Sequence, residues 1–295
     1  MPWNLAGISI DSAGVIGGTE LSPATLRRLG RLQHFTVADF GDVAAPVHDH
    51  RRDAHSGLVG HRELVAATET IRGVFGKRLD PDRRLAVLGG CCTLMIGLGA
   101  ATRDRIGRFG IAYIDGHLDL YDGQSSPSGE GADVPLATML GHGDPAILEA
   151  AGGRSLEPED VYLLGYRDAL QSKGQGSLMP EDFGPDFRHL DTAGIRAEGP
   201  AVAGEAVRAH FETRELPFWL FLDVDALDPV VFPATDALVG EGLDWDAVEA
   251  LAAPLARSPR LLGVVVTCYN PEKDPDGACG RRLARFLEGV MEKNP

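Results

Sequence analysis

Residues 109–122 read FGIAYIDGHLDLYD, an apolar run that gives way to Asp115, His117 and Asp119 at alternate positions. The run does not alternate with polar residues, which is how a strand reads when helices cover both faces of its sheet. Side chains two apart in a strand share a face, so the spacing predicts two carboxylates and an imidazole converging at the strand's C-terminal edge. That is metal-ligand chemistry; the plainer alternative is a solvated polar strand end.

Working outward, FWLFLDVDALDP (218–229) repeats the pattern, with Asp223 and Asp225 two apart after a strongly apolar run. Two unpaired carboxylates on one face repel and are costly to bury unless a cation lies between them. Asp228, before Pro229, reads as a turn residue. In LAVLGGCCTLMIGLG (85–99) a strand and a glycine pair lead to Cys92 at the opening of a helix, over the sheet edge where ligands of open α/β sheets gather. A helix N-terminus and a nearby cation would both favour a Cys92 thiolate, and a buried inert thiol is the alternative.

Further apolar runs at 5–10, 35–40, 160–167 and 261–270 read as strands, and the stretches 21–32, 61–79, 93–106 and 244–258 as helices. Strand and helix alternate at βαβ spacing from end to end, without a linker or repeat, so residues 1–295 read as one α/β domain around a mostly parallel sheet. Two long polar stretches, 121–135 and 167–187, read as loops with functional roles.

Composition narrows the partners. The chain has 295 residues, 44% of them hydrophobic, with 28 Lys and Arg against 43 Asp and Glu and a net charge of −15, too little positive charge to neutralise a phosphate backbone. Nucleic-acid binding is excluded on that ground, and a membrane span by the want of any apolar run of about 18 to 20 residues. The N-terminus lacks a basic start and long apolar stretch, and four cysteines, two of them adjacent, make no disulfide framework. A cytoplasmic protein with reduced thiols is expected.

Together these segments resemble the ureohydrolase family, the arginases and agmatinases, over nearly the whole chain. The family's GGDHS, DAHxDxxxP and SxDxDxxDP motifs have their counterparts in GGCCT (89–93), DGHLDLYDG (115–123) and LDVDALDP (222–229), and YNPEKDPDG (269–277) looks like its late segment. The resemblance implies a three-layer α/β/α fold with an eight-stranded, mostly parallel sheet. It also implies a dinuclear manganese centre, a small-molecule guanidino substrate hydrolysed by a hydroxide shared between the ions, and a homo-oligomer. Carried over residue by residue, Asp115, His117, Asp119, Asp223 and Asp225 are ligands, with Cys92 where the family usually has histidine. Asp119 is then placed to hold the hydroxide and shuttle its proton. Carboxylates with imidazole suit Mn²⁺.

Four departures bear on the substrate. Cys92 is softer than imidazole, so one ion of the pair is expected to bind weakly or to be a different metal; a branch acting on the hydroxyguanidine N-hydroxyarginine also carries cysteine there. Cys268 stands where a glutamate clamps the guanidinium, and reads either as a substrate contact or as a packing residue. Ala132 replaces a histidine that assists the leaving amine, which leaves Glu130, Asp133, His142 or a water to substitute. Glu130 replaces an asparagine that contacts the amino-acid carboxylate, and so favours a neutral or cationic tail. Ser126 and Ser128 remain as loop contacts or turn formers. The expectation is a hydrolase of a guanidine-, hydroxyguanidine- or amidine-type C–N bond, not plain arginine; the alternative is a non-catalytic binding or regulatory protein on the same fold.

Overall fold

Along each central strand, neighbouring residues point to opposite faces, and here both faces are apolar. Leu5, Ala86, Leu220 and Val264 join one hydrophobic core, while Ala6, Val87, Phe221 and Val265 join a second. A strand with two apolar faces must be covered twice, and the result is three layers, α/β/α. The computed structural model describes residues 1–13 and 17–293.

In chain order the elements are β1 (Trp3–Ser9), α1 (Ser22–Leu29), β2 (Thr36–Ala44), α2 (His61–Arg78), β3 (Arg84–Gly89), α3 (Leu94–Ile106), β4 (Gly110–Ile114), α4 (Pro135–Met139) and α5 (Pro145–Ala151). There follow β5 (Val161–Leu164), α6 (Ala169–Gly174), β6 (Arg188–Leu190), α7 (Thr192–Glu198), α8 (Pro200–Thr213), β7 (Phe218–Asp223), α9 (Trp245–Ala256), β8 (Leu261–Thr267) and α10 (Ala278–Glu292). The eight strands form one sheet in the order β2-β1-β3-β8-β7-β4-β5-β6, and every pairing is parallel. All strands therefore end on the same edge, and the middle four, β3, β8, β7 and β4, bring together there segments that lie far apart in the chain.

Local chemistry sets the boundaries. Asp244 caps α9 by accepting from the Ala247 N–H, and Asp144 caps α5 by accepting from the N–H groups of Ala146 and Ile147. At the end of β3 the chain passes so close to the Ile10 backbone that a Cβ on Gly90 would lie 1.9 Å from its carbonyl oxygen, so no larger residue fits. Two features depart from the sequence expectation. The eighth strand, β6, is three partly exposed residues at the sheet margin and carries no apolar run. The 167–187 stretch is not all loop: α6 forms within it, docked by the Tyr121 hydroxyl donating to Ser172 Oγ at 3.0 Å.

Candidate metal centre

The strand that carries the first motif stops at Ile114, so alternation along a strand does not aim Asp115, His117 and Asp119. The loop beyond it does, with Asp119 in a left-handed backbone conformation at φ 53°. The outcome is nevertheless convergence. Asp115, His117 and Asp225 present donor atoms all within 4.8 Å of one another. His117 Nδ1 lies 3.1 Å from Asp225 Oδ2 and 3.7 Å from Asp115 Oδ1. Asp223, at the end of β7, accepts at Oδ1 from the Asp225 N–H and at Oδ2 from the Thr267 hydroxyl, at 3.1 and 2.9 Å. Asp119 Oδ2 accepts from the Tyr113 hydroxyl at 2.6 Å.

These carboxylates are withdrawn from water: Asp115 and Asp223 are 1% exposed, Asp119 and Asp225 5%. Burial, then mutual repulsion, holds the carboxyls of Asp115, Asp119 and Asp223 well above the ordinary range. Asp225 stays below it in spite of burial, because His117 and the Gly116 N–H stabilise its charge. The same contact holds His117 well above the usual imidazole range although burial opposes it. Among the described residues Asp115 Oδ2 is buried without a hydrogen-bond partner, an acceptor left beside like charges. An oxygen-rich donor set with one imidazole and an orphaned carboxylate oxygen fits a hard divalent cation of the Mn²⁺ kind.

A cavity of about 270 Å³ opens on this cluster, and Cys91, Cys92, Cys268, Glu130, Ala132 and Asp133 also line it. Glu130 is pushed up to about 7, first by burial and then by the charges of Asp133, Cys91, Asp11 and Asp236. Ser126 and Ser128 stand behind the wall: both hydroxyls donate to Asp133 Oδ2, the Ser128 bond at 2.6 Å. They position Asp133 and stay out of the cavity lining. His142 lies exposed, edge-on to Phe183, and is not among the lining groups. Asp228 accepts from the N–H groups of Val230 and Gly242 and is the turn residue expected.

The thiols differ from expectation. The Cys91 and Cys92 sulfurs lie 3.9 Å apart with that of Cys268 beside them, and contact within the group pushes Cys91 down and, with burial, Cys92 and Cys268 up. All four cysteines are free.

The sheet order, the three-layer fold and the carboxylate–imidazole cluster can now be set beside known proteins. The model of the Arginase family matches residues 5–291. The chain belongs to the arginase family. The arginase of Bacillus caldovelox is 25% identical over 283 residues, covering 92% of each chain, and that of Brevibacillus brevis 27% over 298 residues, covering 98% of this chain and 97% of the relative. The native structure of the B. caldovelox arginase at pH 5.6 superposes with a TM-score of 0.85 at 25% identity, covering 98% of this chain and 97% of that one. Formimidoylglutamase of Bacillus subtilis, 16% identical with a TM-score of 0.72, shares the fold.

Several residues of this arginase-family site escape a sequence reading. Tyr113 sits inside an apolar run and looks like core, stacked on Phe221 with ring centroids 4.2 Å apart, yet its hydroxyl reaches Asp119. Arg52 clamps the 121–135 loop by donating to the carbonyls of Gly123, Ser126 and Pro127, and to that of Gly57. The late YNPEKDPDG segment supports the wall: Asn270 Nδ2 and Lys273 Nζ hold Asp236 Oδ1 at 2.9 and 2.7 Å. A Cβ on Gly116 would lie 2.5 Å from the Arg167 guanidinium, whose Nη2 donates to the Asp225 carbonyl at 2.6 Å, so a glycine at 116 marks the packing of that arginine. No helix among the described residues is long and apolar enough to cross a membrane.

Proposed function

We propose that the chain is a dinuclear manganese hydrolase of a C–N bond in a small guanidine-, hydroxyguanidine- or amidine-type molecule other than plain arginine. The observation that carries this is the convergence of buried Asp115 and Asp225 with half-buried His117, with an Asp115 oxygen unpartnered among the described residues and a cavity opening on the group. Asp119, Asp223 and, at the thiol side, Cys92 complete the ligand set. Bound divalent ions would supply Lewis acidity and lower the pKa of a water, so that a nucleophile exists at neutral pH.

The chain's own residues do the rest. Asp119, its Oδ2 held by the Tyr113 hydroxyl, would be placed to take the proton of an attacking water. Glu130, a carboxyl held near neutrality, can protonate the departing amine where Ala132 cannot. Asp133, fixed by Ser126 and Ser128, and Glu130 make an acidic mouth that repels a substrate carboxylate and accepts a neutral or cationic tail. Cys268 offers no bidentate acceptor for a guanidinium, which disfavours arginine and agmatine.

The test is metal analysis of the purified chain, with a urea- and ammonia-release screen over guanidino, hydroxyguanidino and amidine compounds. The expected result is bound Mn²⁺ and turnover of a compound other than arginine. A thermal midpoint unmoved by Mn²⁺, Fe²⁺ or Zn²⁺, with no product from the panel, would favour a non-catalytic binding protein.

A further inference from the structure

Beside the carboxylates, and on the same cavity, lies a second group of donors of opposite character. The sulfurs of Cys91, Cys92 and Cys268 are all within 4.8 Å of one another, and those of Cys91 and Cys92 are 3.9 Å apart. They come from the ends of two paired strands, β3 and β8. The backbone holds them there: the Cys91 N–H donates to the Ile10 carbonyl at 2.9 Å and the Cys268 N–H to the Gly90 carbonyl at 2.7 Å. Three thiolates around a tetrahedral Zn²⁺, with Zn–S bonds of about 2.3 Å, stand about 3.8 Å from one another. The Cys91–Cys92 separation of 3.9 Å is close to that edge length, and Cys268 lies within 4.8 Å of both.

The partners these sulfurs now have are weak and easily given up. Cys92 donates to the Ala132 carbonyl at 3.4 Å, and Cys91 lies 3.7 Å from the Thr93 hydroxyl. Cys268 follows Thr267, whose hydroxyl donates to Asp223 Oδ2 at 2.9 Å, and Cys268 and Asp223 line the same cavity, so an oxygen donor stands beside the thiol group. All three cysteines line the cavity, which gives an ion a way in. Thiolates select borderline and soft ions, whereas the neighbouring oxygen-rich cluster suits hard ones.

We propose that Cys91, Cys92 and Cys268 form a thiolate site for a borderline-soft divalent ion of the Zn²⁺ class, with Asp223 as the oxygen donor shared with the carboxylate cluster. Binding releases the thiol protons to solvent as three Zn–S bonds form, with no oxidation. The site deepens the hydrolase reading by changing its second ion from Mn²⁺ to a borderline-soft one, and ion binding there does not depend on the hydrolase activity. Cys92 then belongs first to the thiol group, and the centre is mixed: a hard position on β4 and β7, a soft one on β3 and β8.

The test uses the full chain, reduced and freed of metal by chelation, titrated with Co²⁺ as a probe and then with Zn²⁺. The expected result is a near-ultraviolet thiolate-to-Co²⁺ charge-transfer band that saturates with one ion per chain and is abolished by Zn²⁺. It should persist in Asp225→Asn, which cripples the carboxylate cluster, and be lost in Cys91→Ser and Cys268→Ser. On the wild-type chain, Zn²⁺ should protect three thiols from alkylation while Cys279, outside the cluster, stays labelled. That readout needs no variant to fold. Absence of the band together with alkylation that ignores Zn²⁺ would overturn the site, as would Zn²⁺ binding that vanishes in Asp225→Asn and survives in the cysteine variants. A band without any effect of Mn²⁺ would keep the thiol site and sink the manganese hydrolase instead.

Discussion

Replacing Asp115 by Asn should stabilise the metal-free chain at alkaline pH, by an amount that fades on acidification. Burial, then the charges of Asp225 and Asp223, holds the Asp115 carboxyl well above its unfolded value. In that case the native state keeps a proton that the unfolded chain has already released. Stability therefore falls as pH rises from about 4 through the folded pKa, and below the unfolded value both states are protonated and the penalty vanishes. A single such group loses about 1.4 kcal/mol per pH unit across the window. For a chain of this length about 1 kcal/mol moves the thermal midpoint by roughly 2 °C, so the difference between variant and wild type should open by up to about 3 °C per pH unit. Sharing of protons among Asp115, Asp119 and Asp223 spreads the effect over a wider range. Asparagine keeps the Oδ1 that accepts from the His117 N–H and puts a neutral amide where Oδ2 has no partner. Chelated wild type and variant should be compared by scanning calorimetry between about pH 5 and about pH 8, the subtraction removing every other titrating group. Adding Mn²⁺ should reverse the order, since only the wild type has its full ligand set. A variant no more stable than wild type at the alkaline end, or a difference independent of pH, would refute the account of the buried carboxylates.

Three other perturbations test the surroundings of the site. Tyr113→Phe keeps the stacked ring and removes a buried hydrogen bond to a carboxylate, typically about 1.5–3 kcal/mol; the thermal midpoint should fall by roughly 3–6 °C and kcat on the best compound of the screen roughly tenfold to a hundredfold, and an unchanged kcat would remove Tyr113 from the mechanism. Arg52→Ala unties the 121–135 loop, so limited proteolysis should cut there roughly tenfold faster, the equivalent of about 1.4 kcal/mol in local opening, with the sheet intact by circular dichroism. Because Glu130 titrates at about 7, KM for a cationic-tailed substrate should drop as pH rises through that value, and Glu130→Gln should flatten the profile; a wild-type profile already flat would place Glu130 away from the substrate.

The parts of the molecule legible in the sequence are those in which one residue type has one physical use. Unbroken apolar runs marked the central strands because two-sided burial leaves no room for alternation; β2, an edge strand, is largely exposed, and β6 escaped because two exposed residues and one half-buried at the margin carry no such demand. Paired aspartates after a strand were legible because burying them together is costly without a cation. The route by which they converge was not, since the loop after Ile114 and the left-handed Asp119 replace strand geometry. Cysteine is harder still. Cys92 read as a ligand with a buried inert thiol as the alternative, Cys268 equally well as a packing residue, and only the pairing of β3 with β8 puts Cys268 beside Cys91 and Cys92. Tyr113 and Arg52 were hidden for a similar reason, because an aromatic in an apolar run and an arginine in a polar stretch are commonplace until their partners are known.

Asp119 and Cys268 both stand in left-handed backbone, at φ 53° and 63°, where an ordinary L residue is strained by about 1–2 kcal/mol and glycine is not. Each also carries a group that folding would be better without: a buried carboxylate in one case, a thiol on a carboxylate-lined cavity in the other. At these two positions stability and chemistry pull against each other. A chain selected only for heat resistance should therefore find glycine at 119 or 268 among its easiest gains and lose its donors in doing so. The cavity is thus maintained against the preference of the fold, and relaxed selection would erode it from these two residues outward while leaving the sheet untouched.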